Sequence, residues 1–185
     1  QQMAFSRRVA ESMGFDFEHG RLDLSTHPFT GGTAHPDVRL TTRYNARQLT
    51  SALFGIIHEA GHGLYEQGLP ADAQGTPVGG SVSLGIHESQ SRLWENMIGR
   101  SRPFWDHYLP LLREHFPEQL KGVEVETFYA AINQVEPSLI RVEADEVTYN
   151  LHILLRFELE QALVEERVAV EELPHLWDEK MASYL

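Results

Sequence analysis

The sequence predicts a mainly α-helical fold with one small antiparallel β-sheet in its N-terminal third. Apolar residues recur at helical spacing over most of the chain. Glycine and proline cluster between residues 14 and 44 and again between 68 and 85, and the first of these stretches contains two short runs that alternate with a period of two. Both ends of the chain lack a start or stop signal. We therefore expect residues 1–185 to form a single catalytic region of a longer chain.

The composition is typical of a soluble globular protein and argues against several classes of partner. The net charge of −12 and the pI of 5.2 oppose binding to nucleic acid or to an anionic membrane. No apolar run approaches the roughly 20 residues that span a bilayer. Cysteine is absent, which is compatible with the cytoplasm, where we expect the protein, and which leaves histidine and carboxylates as metal ligands.

The N-terminal third is predicted to contain a helix followed by the sheet. Residues 3–13 have the spacing of an amphipathic helix that ends at Gly14. Residues 22–25 and 38–44 alternate partly and are predicted to be antiparallel strands. An edge strand beside a metal centre is able to accept an extended peptide by backbone pairing.

The remaining segments are predicted to be helices joined by loops. Residues 68–85 have the composition of a mobile loop, and a helix is expected at residues 86–98. Two more packed helices are expected near residues 104–112 and 125–135. From residue 138 to about 170 the chain has neither glycine nor proline, which predicts one long helix.

The chemistry of the chain is concentrated in the sequence His58-Glu59-Ala60-Gly61-His62, which lies in an apolar-periodic segment. Residues four apart emerge on the same helix face, so both imidazoles can reach one metal ion. Glu59 is placed to reach a water on that ion as a general base. Asn45 is the predicted cap of this helix, and Gly68 its end.

Three glycines inside the same helix predict a close neighbour. Gly55, Gly61 and Gly63 would each cost about 1 kcal/mol relative to alanine. We therefore expect another segment to pack against the backbone there.

A catalytic zinc site usually takes three protein ligands and a water. Glu88, at the start of the next helix, is our candidate for the third ligand, and Glu95 is the alternative. An acidic residue in a first helical turn also interacts favourably with the helix dipole, so Glu88 has a purely structural interpretation as well.

His27 and His35 precede prolines. For His35 a role in a turn is favoured over a role as metal ligand. For His27 the two roles, turn residue and metal ligand, are equally weighted.

Two further questions stay open from the residues alone. Arg141 is either a surface arginine or, if its helix borders the metal cleft, a bidentate partner for a carboxylate. Two imidazoles and a carboxylate suit several divalent ions. We favour Zn2+, with Co2+ and Mn2+ as alternatives.

Taken together, several stretches of the sequence resemble the carboxypeptidase Taq family of metallocarboxypeptidases. The resemblance depends on five signatures in a fixed order. They are His27-Pro28-Phe29, Asp37-Val38-Arg39-Leu40-Thr41, His58-Glu59-Ala60-Gly61-His62, His87-Glu88-Ser89-Gln90 and Ile140-Arg141-Val142-Glu143-Ala144-Asp145.

The resemblance implies a zincin-like helical metallopeptidase core that acts on peptides. It implies that His58, His62 and Glu88 bind the metal and that Glu59 is the general base and acid. It implies that Arg141 binds the free C-terminal carboxylate of a substrate. The resemblance also suggests a homodimer.

The chain also departs from the pattern of the family. The later signature G-x-x-Q-D-x-H-W and the long N-terminal helical region are absent, so we expect the central, metal-bearing part of such an enzyme. Two other functions stay open: a helical metalloendopeptidase in which Arg141 is structural, and a non-catalytic module that binds metal or peptide.

Overall fold

The computed structural model describes all 185 residues, which form seven α-helices and one three-stranded sheet. In chain order the elements are α1 (Gln2–Ser12), β1 (Gly20–Leu24), β2 (Thr30–Ala34), β3 (Asp37–Thr42), α2 (Leu49–Gln67), α3 (Leu84–Arg92), α4 (Arg102–His115), α5 (Val125–Ile132), α6 (Thr148–Val164) and α7 (Leu173–Tyr184). A π-helical turn, Leu93–Ile98, continues α3. The predicted mainly helical fold, with a small sheet before the histidine-bearing helix, is confirmed.

Two compact units make up the chain, Gln1–Ile132 and Asn133–Leu185. The second unit has its own apolar cluster, in which Leu155 and Leu159 of α6 pack with Met181 of α7. None of the helices in either unit has the length and apolar character that a bilayer-spanning helix requires. That residues 1–185 act as a single catalytic region stays a prediction.

The sheet is mixed, and the expectation of a wholly antiparallel sheet was wrong. β1 pairs in parallel with β3, whereas β2 pairs antiparallel with β3, and the strand order is β1-β3-β2. Strand β2 was not predicted, because its sequence Thr-Gly-Gly-Thr-Ala lacks apolar alternation and gave no strand signal. Because β2 reverses the chain between the two predicted strands, β1 and β3 run in the same direction.

Helix α2 lies between the two apolar clusters of the first unit. Leu53 and Ile57 belong to the cluster formed with α1 and α4, and Ile56 and Ala60 belong to the cluster under the sheet. All four side chains are fully buried. The predicted cap at Asn45 was wrong, because α2 begins at Leu49 and the Asn45 side chain accepts a hydrogen bond from the backbone of Arg47 in the preceding turn.

The predicted close approach to the backbone of α2 is confirmed at two of the three glycines. A β-carbon at Gly61 would lie 2.7 Å from the Cα of Ser91 in α3, and one at Gly63 would lie 2.6 Å from the ring of Phe15. At Gly55 the nearest atoms would be 3.8 Å away, which is an ordinary contact. Gly61 therefore allows α3 to pack directly against α2.

The predicted long helix from residue 138 to about 170 is shorter in the structure. Arg141–Glu143 form a separate 3-10 turn, and α6 begins only at Thr148. The carboxylate of Asp145 accepts hydrogen bonds from the backbone amides of Val147 and Thr148 and from the Thr148 hydroxyl. Such local bonds stabilise a turn in place of a continuing helix.

The packing at Gly61 predicts opposite effects for two glycine-to-alanine changes in α2. We expect Gly61→Ala to lower the free energy of unfolding by about 1–3 kcal/mol, because the added methyl group meets the backbone of α3. Gly55→Ala is the matched control and should be neutral or stabilising by up to about 1 kcal/mol, since alanine favours the helix and has space there. Denaturant unfolding of both variants measures the difference, and equal effects would contradict the proposed packing.

Candidate metal centre

Two imidazoles project from one face of α2, one helical turn apart. The ring centroids of His58 and His62 are 4.9 Å apart, and the ring planes meet at 81°. Their side chains are only 18% and 17% exposed. Ile57, which directly precedes His58, and Ala60, which lies between the two histidines in sequence, are fully buried in the core. The apolar packing of α2 therefore holds the two rings in place.

Helix α3 brings the carboxylate of Glu88 to the same point. Its Oε2 lies 3.2 Å from His62 Nε2 and 3.7 Å from His58 Nε2. One ligand atom from each of the three residues lies within 4.8 Å of the other two. Ligands bound about 2.1 Å from a tetrahedral zinc ion are about 3.4 Å apart, so this donor set fits one such ion. Because α3 begins at Leu84, Glu88 lies beyond the first turn, where the helix dipole has less effect.

The second ring nitrogen of His58 has a carboxylate partner behind it. His58 Nδ1 and Glu95 Oε2 are 2.8 Å apart, and Glu95 lies in the π-helical turn. A hydrogen bond at Nδ1 fixes the tautomer that leaves Nε2 free to bind a metal. The structure thus places Glu88 on the Nε2 side of His58 and Glu95, the alternative third ligand, on the Nδ1 side.

The second ring nitrogen of His62 contacts another histidine. His62 Nδ1 lies 2.7 Å from His87 Nδ1, and His87 Nε2 lies 2.7 Å from Glu66 Oε1. No role was predicted for His87 or Glu66 from the sequence. The available signals were the i,i+4 spacing of His62 and Glu66 and the position of His87 directly before Glu88.

Arg92 joins the two acidic residues that contact His58. Its Nε donates to Glu88 Oε1 at 3.0 Å, and its Nη1 donates to Glu95 Oε2 at 3.1 Å. Glu88 is thereby held through one oxygen while the other faces the histidines. This bridge was also missed, because i,i+4 and i,i+3 ion pairs on a helix are common without any relation to a metal site.

The protonation of the site reflects these contacts. Burial by itself would lower the pKa of His58, but the hydrogen bond and charge of Glu95 and the charge of Glu88 outweigh it and raise this pKa. Burial by itself would raise the pKa of Glu88. The hydrogen bond with His62 and the positive charges of His58 and Arg92 outweigh it, and they lower this pKa to about 2. Glu88 is therefore ionised at neutral pH, as a carboxylate ligand must be.

Glu59 is buried beside the same cluster, with 7% of the residue exposed. The hydroxyl of Thr30 in β2 donates to Glu59 Oε2 at 2.6 Å, and its oxygen also lies 2.9 Å from the Glu59 backbone oxygen. The carboxylate is thus oriented by the edge of the sheet. It lies outside the group of three potential ligands.

An open cleft of about 810 Å³ adjoins these residues. Its walls are the whole of β2, the turn after it, the exposed face of α2, the start of α3 and the loop between those helices. Glu59, His62, His87 and Glu88 line it. Because β2 is an edge strand, one wall of the cleft offers unpaired backbone groups.

The two proline-linked histidines lie outside the potential ligand group. His27 Nδ1 contacts the backbone oxygen of Pro28 at 2.7 Å, and His35 Nε2 contacts the backbone oxygen of Gln67 at 3.2 Å. These contacts fit the turn role considered for both residues.

Arg141 belongs to the second unit and lies in a 3-10 turn, not in the long helix that the sequence suggested. Its guanidinium donates a hydrogen bond to the hydroxyl of Tyr149. The guanidinium carbon also lies 5.3 Å from the centre of the Tyr149 ring. Tyr149 thus orients Arg141 by two contacts.

Comparison with known proteins decides the family. The family model described as "Carboxypeptidase Taq (M32) metallopeptidase" matches residues 1–185. The chain belongs to the carboxypeptidase Taq (M32) family. The resemblance inferred from the five signatures is therefore confirmed.

Relatives within the M32 family match this chain closely but are much longer. Thermostable carboxypeptidase 1 of Thermus thermophilus is 53% identical over 184 residues, which are 100% of this chain and 36% of the relative. Carboxypeptidase 1 of Bacillus subtilis is 45% identical over 185 residues, or 100% of this chain and 37% of the relative. The chain thus spans little more than a third of the length of these relatives.

Solved structures match the fold as well. The M32 carboxypeptidase of Deinococcus radiodurans R1 has a TM-score of 0.97 at 52% identity, with 100% of this chain and 37% of that chain covered. Metallocarboxypeptidase 1 of Trypanosoma cruzi has a TM-score of 0.94 at 42% identity, with 99% and 36% covered.

The M32 signature at residues 37–41 ties the edge strand to the sheet. Asp37 accepts hydrogen bonds from Arg39 and from the hydroxyl of Thr33 in β2. The hydroxyl of Thr41 accepts a hydrogen bond from the Phe29 amide just before β2. These bonds position the strand that holds Thr30 against Glu59.

The positions of Glu88 and Glu95 predict different losses of metal binding. In the complete natural protein, Glu88→Ala should abolish measurable Zn2+ binding because it removes one of the three candidate ligands. Glu95→Gln should weaken it about 10–100-fold, the usual effect of losing an outer partner of a metal-binding histidine. Competition with a chromophoric chelator measures both.

Glu165→Gln, at a surface ion pair with Arg167, is the control and should change nothing. Full Zn2+ binding by Glu88→Ala, or equal losses in the two site variants, would contradict the assignment.

Proposed function

We propose that this chain is the metal-bearing part of a metal-dependent carboxypeptidase that hydrolyses the C-terminal peptide bond of peptides. The observation that carries the proposal is the convergence of His58, His62 and Glu88 in a chain that matches the M32 family along its whole length. The cytoplasmic location and the homodimer expected from the resemblance stay predictions.

A single divalent ion is the proposed cofactor, held by His58, His62 and Glu88. Zn2+ is the ion we favour, and Co2+ and Mn2+ suit the same donors. When bound, such an ion supplies Lewis acidity that polarises the scissile carbonyl and lowers the pKa of water. The ionised Glu88 and the histidines with Nε2 facing it support this assignment.

Glu59 is the proposed general base. Its carboxylate lies against the cleft and is oriented through Oε2 by the hydroxyl of Thr30. In this role it takes a proton from the attacking water and delivers it to the nitrogen of the leaving residue. Burial of Glu59 supports the role, because it limits competing solvent contacts at the carboxylate.

The edge strand β2 is the proposed guide for the substrate backbone. A peptide in extended conformation can pair with the free edge of β2 and so become one more strand of the sheet. This pairing uses only backbone groups and leaves the peptide side chains to other walls of the cleft. The proximity of Thr30 to Glu59 supports it, since it brings that edge next to the base.

Arg141 is the proposed binding residue for the free C-terminal carboxylate of the substrate. A planar guanidinium binds a carboxylate through two parallel hydrogen bonds, which fixes the register of cleavage at the last residue. The signature at residues 140–145, of the form I/V-R-x-x-A-D, and the contacts that orient the guanidinium on Tyr149 support this role.

The base assignment predicts that catalysis and metal binding separate in one variant. In the complete natural protein, Glu59→Gln should lower kcat by at least roughly 100-fold, because proton transfer is lost. Zn2+ binding should persist, since Glu59 is not among the ligands. Steady-state hydrolysis of a short peptide and a chelator competition measure the two properties.

Chelation should abolish turnover of the wild type, and added Zn2+ should restore it. Glu160→Gln, on the exposed face of α6, is the control and should keep full turnover. Retained turnover by Glu59→Gln would rule out this mechanism. A wild type that binds metal but hydrolyses nothing would favour the non-catalytic module.

The carboxylate assignment predicts a dependence on the substrate terminus. A peptide with a free C-terminus should be cleaved with a kcat/KM at least about tenfold higher than its C-terminally amidated form. Arg141→Ala should remove most of this difference, because hydrogen bonds to a charged group contribute about 1.5–3 kcal/mol.

Arg167→Ala, at a surface ion pair, should preserve the discrimination. Equal cleavage of both peptides by the wild type would favour an endopeptidase in which Arg141 is structural.

A further inference from the structure

A chain of polar contacts runs from His62 away from the proposed metal position. His62 Nδ1 and His87 Nδ1 are 2.7 Å apart, and His87 Nε2 and Glu66 Oε1 are also 2.7 Å apart. Glu66 follows His62 by one turn of α2, whereas His87 belongs to α3. The chain of contacts therefore leaves α2, passes through one residue of α3 and returns to α2.

Hydrogen-bond chemistry gives this chain of contacts one direction. If His62 Nε2 presents a lone pair to a metal, His62 Nδ1 must carry the hydrogen and donate it. His87 Nδ1 is then the acceptor, so His87 Nε2 carries the hydrogen of that ring. This second hydrogen is donated to the carboxylate of Glu66, which ends the chain because it only accepts.

We propose that Glu66 and His87 are positioning residues for the metal ligand His62, and that they hold it in the tautomer that presents Nε2. This inference rests on the metal site of the proposed function and adds two residues to it. His58 reaches its carboxylate, Glu95, directly, whereas His62 reaches Glu66 through an intervening imidazole.

The surroundings of His87 favour one ring orientation. The ring lies 4.7 Å from the ring of His62, and 5.0 Å from the ring of Tyr65 at an interplanar angle of 87°. The side chain of His87 is only 19% exposed. With both ring nitrogens bonded and the ring packed edge to face on Tyr65, a flip of His87 would break two hydrogen bonds.

The position of His87 also couples the third ligand to the first two. His87 directly precedes Glu88, so the residue that supports His62 and the residue that shares its metal are neighbours on α3. The contact between His62 and His87 therefore fixes α3 against α2 at the height where Glu88 meets the histidines. We expect its loss to affect metal affinity more than the fold, because the apolar clusters are elsewhere.

A double-mutant cycle on metal affinity tests this relay, the hydrogen-bonded chain that runs from His62 through His87 to Glu66. Zn2+ affinity is measured by chelator competition in the complete natural protein for the wild type, Glu66→Gln, His87→Gln and the double variant. Each single change should lower the affinity about tenfold or more. The double variant should lose little beyond the larger single loss, because either change breaks the same chain. Replacing Zn2+ with Co2+ should show an altered visible absorption spectrum in both single variants.

Matched controls come from a histidine and glutamate pair on the surface. His175 and Glu179 face each other at 3.7 Å on α7 with mostly exposed side chains. His175→Gln and Glu179→Gln should leave the Zn2+ affinity and the Co2+ spectrum unchanged. Glu66→Gln keeps the size of its side chain, so the test does not depend on the folding of His87→Gln.

The outcomes separate the relay from the metal site itself. Wild-type Zn2+ affinity in Glu66→Gln, or losses that multiply in the double variant, would overturn the relay and leave the proposed function standing. A wild type that binds neither Zn2+ nor Co2+ would overturn the metal site, and the relay with it.

Discussion

The direct backbone contact between α2 and α3 is the constraint on which the site depends. At Gly61 any β-carbon would lie 2.7 Å from the Cα of Ser91, so the two helices approach as closely as their backbones allow. This approach lets the short side chain of Glu88 reach both His58 and His62. The glycine is unfavourable within a helix, but the packing that it permits brings the three donors together.

Electrostatics complements this packing. Three carboxylates, Glu59, Glu88 and Glu95, lie close enough to His58 for their charges to raise its pKa. Arg92 lies between Glu88 and Glu95 and neutralises part of this negative charge. A site with this excess of carboxylates beside two imidazole nitrogens favours a divalent cation over an anion.

The sequence was most informative where function depends on local spacing. The i,i+4 relation of His58 and His62 follows from helix geometry alone, and the structure shows both on one face of α2. The sequence was least informative for β2, whose two adjacent glycines give no strand pattern, and for the start of α6. There the hydrogen bonds of Asp145 prevail over a continuous helical pattern. Backbone pairing and side-chain caps leave weaker traces in a sequence than apolar periodicity does.

By itself, the sequence determined the family, the helical class and the residue types able to bind a metal, because these follow from motifs and short-range periodicity. Only the tertiary structure decided which carboxylate faces the Nε2 side of His58 and which faces its Nδ1 side. It alone revealed Glu66, His87 and Arg92 around the site. The reason is physical: a contact between α2 and α3 depends on helix orientation and separation, which no spacing within one helix specifies.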